Sequence, residues 1–144
     1  MRIREVEGLH VTRLAFRPDL ELTLEDVDSP TSWEERVLVT LSGTLTVRRP
    51  GEEPVTLVAT LLGRDRYALL DGLPSYRFVY ESQVERCEVS EGGAIRLSFS
   101  GGSIETPPNP NGEAWEVFDA EGGVDGLRVI CMPGGEVAVW DRKR

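Results

Sequence analysis

Residues 113–140, EAWEVFDAEGGVDGLRVICMPGGEVAVW, restrict the fold more than any other stretch of the chain. They read as three short strands joined by two glycine-marked turns. In Met132-Pro133-Gly134-Gly135, proline presets φ near −65° and glycine admits φ > 0, which are the two demands of a tight turn. LRVICM and EVAVW supply strand formers on either side, so a hairpin follows.

The same alternation recurs along the chain. LHVTRLAF at 9–16 reads as a strand, and Arg17-Pro18-Asp19 turns it. Leu20, Leu22 and Leu24 then alternate with Glu21, Thr23 and Glu25, the period of two of a half-buried strand. Residues 36–41 and 45–49 form the next pair around Ser42-Gly43. From Val84, VERCEV leads through Glu91-Gly92-Gly93 to Ile95, Leu97 and Phe99, and Gly101-Gly102 turns into SIETP. PPNPNG at 107–112 excludes helix and central strand. Residues 54–63, PVTLVATLLG, predict one short helix near 54–62. Proline suits its first turn and glycine its end, and Leu57, Val58, Leu61 and Leu62 fall at helical spacing. Segment 64–82 gives no single pattern: Asp71-Gly72 and Leu73-Pro74 read as turns and RFVY as a strand. The expectation is a mainly β protein of the α+β kind, with antiparallel sheets in one domain spanning 1–144.

Val11, Leu14 and Phe16 share their spacing with Val84, Cys87 and Val89. Each trio precedes an alternating strand, Leu20-Leu22-Leu24 in one case and Ile95-Leu97-Phe99 in the other. Two similar β units, at 8–49 and 82–140, are one reading. Chance likeness between alternating strands is the other.

The chain has 144 residues and a formal charge of −9. That length can bury one core, and that charge lacks the basic surface that phosphate binding needs, so no nucleic-acid partner is expected. No apolar run is long enough for a membrane span, and MRIREVEGLH has no apolar block to make a secretory signal. The expected place is the cytoplasm, where Cys87 and Cys131 read as buried thiols. With one histidine, His10, and no CxxC pair, neither zinc nor any other cofactor is expected.

Reaction motifs are missing. GxSxG, GxxxxGK[ST] and GxGxxG do not occur, and His10 lies in a strand pattern with no nucleophile beside it. Acids are clustered instead. Seven lie between Asp19 and Glu35 without a basic residue, and six lie between Glu113 and Glu136 with Arg128 alone against them. Asp26 and Asp28 lack the glycine and distal glutamate of a calcium loop, and so read as solvated acids. Trp33, with Glu34 and Glu35 behind it, either folds back on the core or anchors a basic partner. With Asp26, Asp28, Glu116 and Asp119 these residues form the candidate binding set; none is assigned a catalytic or metal role.

Glu113-Ala114-Trp115 and the run Gly126-Leu127-Arg128-Val129-Ile130-Cys131-Met132-Pro133-Gly134-Gly135 resemble the ending of a family of small bacterial proteins classed as a domain of unknown function. Gly8-Leu9-His10-Val11-Thr12-Arg13-Leu14 is similar to the family's G-x-x-V-T-x-[LV] start. The 26–35 loop and the 64–82 segment depart from it. The resemblance implies a β-rich single domain of the bacterial cytoplasm and no catalytic residue.

The expected function is a non-enzymatic protein-binding module, in its sharpest form an immunity-type inhibitor that covers a basic toxin with an acidic face. The alternatives are a small-ligand domain or hydrolase using carboxylates from separate strands, and a structural homodimer joined through open strand edges.

Overall fold

The computed structural model describes residues 1–28, 36–119 and 126–141. Eleven strands form two antiparallel sheets. They are β1 (His10–Phe16), β2 (Leu20–Glu25), β3 (Val37–Leu41), β4 (Thr44–Arg48), β5 (Val55–Val58), β6 (Arg86–Val89), β7 (Ile95–Phe99), β8 (Gly102–Thr106), β9 (Trp115–Asp119), β10 (Leu127–Cys131) and β11 (Val137–Asp141). Sheet one has the order β1-β2-β3-β9-β10-β11, and sheet two the order β5-β4-β8-β7-β6. The inward positions read from the period of two form the core. Leu20, Leu22, Leu24, Val39, Leu41, Trp115 and Val117 of sheet one meet Leu45, Cys87, Ile95, Leu97 and Ile104 of sheet two, all essentially without solvent contact.

The order of the strands interleaves the two halves of the chain. Each sheet is a three-strand meander from one half, extended by strands from the other. Registers correspond as well. Across sheet one, Leu14, Leu22, Val39, Val117 and Val129 are successive cross-strand partners. Across sheet two the matching row is Cys87, Leu97, Ile104, Val47 and Val55. Leu14 and Cys87, and Leu22 and Leu97, are the positions that the sequence spacing aligns. One further row contrasts. Leu41 of β3 corresponds to Thr106 of β8, which is wholly buried with its hydroxyl unpaired among the described residues. Thr106→Val keeps the shape and removes that orphan, so it is expected to raise stability by about 1 kcal/mol in urea unfolding.

Residues 1–11 tie the two sheets together at one corner. Ile3 donates to the Cys87 carbonyl at 2.9 Å, Val89 to Met1 at 2.7 Å and Val84 to Leu9 at 2.8 Å. Glu7 secures this corner, accepting from Arg2 and from the Cys87 amide at 3.0 Å. Burial pushes its carboxyl up, but the Arg2 hydrogen bond, the Cys87 amide and the charges of Arg2 and Arg4 outweigh that and leave it below its ordinary value.

The middle of the chain corrects two sequence expectations. The short helix exists, as α1 (Ala59–Arg64), but residues 55–58 before it are strand. Val55, Thr56 and Val58 are β-branched, and β4 offers them a ladder, so pairing prevails over helical spacing there. Segment 64–82 is helical rather than turns and a strand: α2 runs Arg66–Tyr76, and a 3-10 turn follows at Arg77–Val79. The Asp65 side chain caps α2 by accepting from the Tyr67 and Ala68 amides at 2.9 and 3.4 Å. Asp71-Gly72 lies inside the helix because Gly72 faces inward, where a Cβ would stand 3.2 Å from the Leu62 side chain. Pro74 removes one amide donor, and the helix ends within one further turn. Among the described residues no helix is long and apolar enough to cross a membrane.

Candidate functional site

Pairing of β3 with both β2 and β9 brings the C-terminal ends of β2 and β9 to one end of sheet one. Leu24, Val37 and Asp119 are successive cross-strand partners, so the ends of β2 and β9 flank the start of β3. The acids on the strands there already have partners. Glu25 pairs with Arg36 at 2.8 Å and accepts the Thr12 hydroxyl. Glu116 points outward and pairs with Arg128 at 2.8 Å, whose guanidinium lies over the Trp140 ring. Asp119 accepts from the Leu127 amide at 3.0 Å. Asp26 accepts from the Asp28 amide at 3.0 Å, and both side chains are exposed. Trp33, Glu34 and Glu35 lie outside the described residues.

A second surface has the opposite sign. The bulge at Thr12 breaks the β1 register between Val11 and Arg13. Beyond it, Thr12, Arg13 and Leu14 form one wall of a cleft of about 480 Å³, with Leu73, Tyr76, Arg77 and Tyr80 opposite. Tyr76 is fixed from two sides: its hydroxyl donates to the Leu69 carbonyl at 3.0 Å, and its ring meets Phe16 edge to face at 5.3 Å. Among the described residues no carboxylate lines the cleft itself, and the Thr12 hydroxyl in its wall donates to Glu25. Among the described residues, Arg13, Arg17, Arg66 and Arg77 take part in no ion pair.

The helix beside this cleft is turned against the usual pattern. α2 buries Gly72 and Tyr76, half-buries Leu69, and leaves Tyr67, Leu70 and Leu73 outside. Tyr67 is 75% exposed, Leu70 61%, Leu73 39% and Tyr80 51%. Residues 67, 70 and 73 follow one another three apart, so they make a continuous stripe that runs into the cleft. A helix on a protein surface ordinarily presents its polar side to water, and contiguous exposed apolar area beside polar residues marks an interaction site.

The other reactive side chains stand apart. Cys87 is free and buried, and its thiol is pushed up to about 12 by burial and by the charges of Glu7, Glu88 and Glu5. Cys131 is free, buried and also raised by burial, with its Sγ 3.4 Å from the Gly93 carbonyl. Trp115 is core, and its indole N–H donates to Gly93 at 2.8 Å. Among the described residues no three histidine, cysteine, aspartate or glutamate side chains gather as a metal site.

Sequence reasoning passed over the arginine-lined cleft, although part of it was readable. Leu73, Tyr76, Arg77 and Tyr80 recur at 3, 1 and 3 residues, the spacing of one helix face. Arg13 joins them through tertiary structure alone.

A search of the curated proteins found no match, and neither did a search of the solved structures. A family of unknown function, DUF6188, matches residues 2–141. The chain belongs to that family.

Proposed function

We propose that the protein is a non-catalytic protein-binding module that grips its partner with the outward side of α2 and the cleft behind it. The observation that carries this reading is the exposed stripe Tyr67-Leu70-Leu73 running into a cleft whose charged residues are arginines without carboxylate partners among the described residues. Tyrosine and arginine beside exposed leucine is the composition of an interface centre. The complementary partner is an acidic segment with apolar side chains. The net charge of −9 does not forbid it. Exposed charges are screened beyond ~8 Å at physiological salt, so the nearby guanidiniums set the local field.

A second reading keeps the acidic end as a site for a basic protein, such as a toxin held by an immunity-type inhibitor. That β2 and β9, each followed by an acidic stretch of sequence, finish at the same end of sheet one favours it. It draws less from geometry, because Glu25, Glu116 and Asp119 already have partners.

Photoreactive residues placed singly at Tyr67, at Asp28 and at Glu91, and irradiated in the native host, separate these readings. The expected result is a discrete heavier adduct from Tyr67 alone. An adduct from Asp28 alone moves the function to the acidic end, and none from either position defeats both.

A further inference from the structure

The register correspondence between the sheets leaves one place unfilled. Val129 of β10 has Val117 on one side and Val139 of β11 on the other. Its counterpart Val55 of β5 has Val47 on one side, and β5 ends its sheet. We propose that a second copy of this chain fills that place, β5 pairing with β5 about a two-fold axis through Thr56.

Backbone parity supports this occupant. The Ala59 amide donates to the Gly43 carbonyl at 2.8 Å, across the ladder that pairs Val58 with Thr44. Bonded and unbonded pairs alternate in an antiparallel ladder. Val55 and Leu57 therefore bond to β4, and Pro54, Thr56 and Val58 turn their backbone groups outward. Among the described residues, the amides of Thr56 and Val58 have no other partner. Two groups are missing from that edge. Proline has no N–H, and the Val58 carbonyl, at the N-cap of α1, accepts the first helical bond.

A two-fold pairing centred on Thr56 fits those gaps. Thr56 exchanges both bonds with the second copy's Thr56. Val58 faces the second copy's Pro54, donates to its carbonyl, and needs nothing back. An unrelated strand with an N–H at that position would find no acceptor.

The side chains agree. VTLV is short but carries no charge, no proline and no bulge, three of the devices that protect an edge from pairing. Val55, Val58 and Leu61 are 39%, 42% and 45% exposed. At β11, the outer strand of the other sheet, the sequence ends the strand with Asp141 and runs on into Arg142-Lys143-Arg144. The contact is isologous and closes on itself, so it gives a dimer rather than a fibre.

A charge swap at the axis tests this. Thr56 of each copy faces its mate, so lysine or glutamate there sets like charges opposite one another. Sedimentation from low to high micromolar should give twice the chain mass for the wild type. Thr56→Lys and Thr56→Glu should each weaken the dimer about fivefold or more, and an equimolar mixture of the two should restore it. Circular dichroism confirms that each variant is folded. A wild type of single-chain mass at high micromolar overturns the proposal. So does a dimer that neither variant weakens, or one that mixing fails to restore.

Discussion

Replacing Trp115 by alanine is expected to remove about 4 kcal/mol of stability, measured by urea unfolding at neutral pH. The side chain is 1% exposed and faces Leu41 across the ladder at the centre of sheet one. Truncating a buried tryptophan ordinarily costs about 3–5 kcal/mol, through lost transfer energy and the cavity left behind. A second loss adds to it, because the indole N–H is the donor to Gly93 in the turn between β6 and β7. Trp115→Phe separates the two, since it keeps most of the volume and loses the donor, at about 1–2 kcal/mol. Against a whole-domain stability of about 5–15 kcal/mol, the alanine variant should be marginal at physiological temperature. A loss below about 1 kcal/mol would mean that the two sheets are not joined through this residue.

Gly93→Ala is expected to cost about 3 kcal/mol, for reasons the sequence could not give. Gly93 has φ of +95°, and a Cβ there would stand 2.8 Å from the Gly135 Cα and run into its carbonyl. Gly135, at φ +99°, is hemmed in by Gly92 in return. The β6–β7 and β10–β11 turns are thus packed back to back, with no room for a methyl group. Gly134 is the internal control. Its φ is +88°, yet a Cβ would meet nothing within 4 Å. Gly134→Ala should therefore show the backbone strain alone, about 1 kcal/mol. Comparison of their unfolding midpoints isolates the cost of the turn-to-turn contact, and equal losses would disprove the close packing.

These residues also mark what could be read from the chain. Leu20, Leu22 and Leu24 announced a half-buried strand because a period of two is a local property. The glycines of Met132-Pro133-Gly134-Gly135 announced a turn because positive φ is local too, and both have it. That Gly93 meets Gly135 is long-range, and no spacing encodes it. Helix boundaries failed for a related reason. Leu57, Val58, Leu61 and Leu62 satisfy a helical period, and β4 decides the matter for 55–58. In α2, Gly72 and Pro74 argue locally against a helix. The Asp65 cap and the packing of Gly72 and Tyr76 outweigh them.

The surfaces divide in the same way. Acid clustering at 19–35 and 113–136 was visible, whereas the shared end of β2 and β9 depends on β3 pairing with both. Most of the acids on those strands turned out to be partnered nearby. Arg13 and Arg77 lie in segments that suggest nothing about each other. The bulge in β1 and the start of the 3-10 turn after α2 bring them to one cleft.

The most direct test of the binding surface is the double variant Leu70→Glu with Leu73→Glu, followed by thermal melting and by adduct formation from a photoreactive residue at Tyr67. Both leucines are exposed, so a contact surface requires melting within about 2 °C of the parent and loss of the adduct. A large fall in melting temperature would assign the stripe to the fold, and an adduct that survives both substitutions would contradict its role in binding.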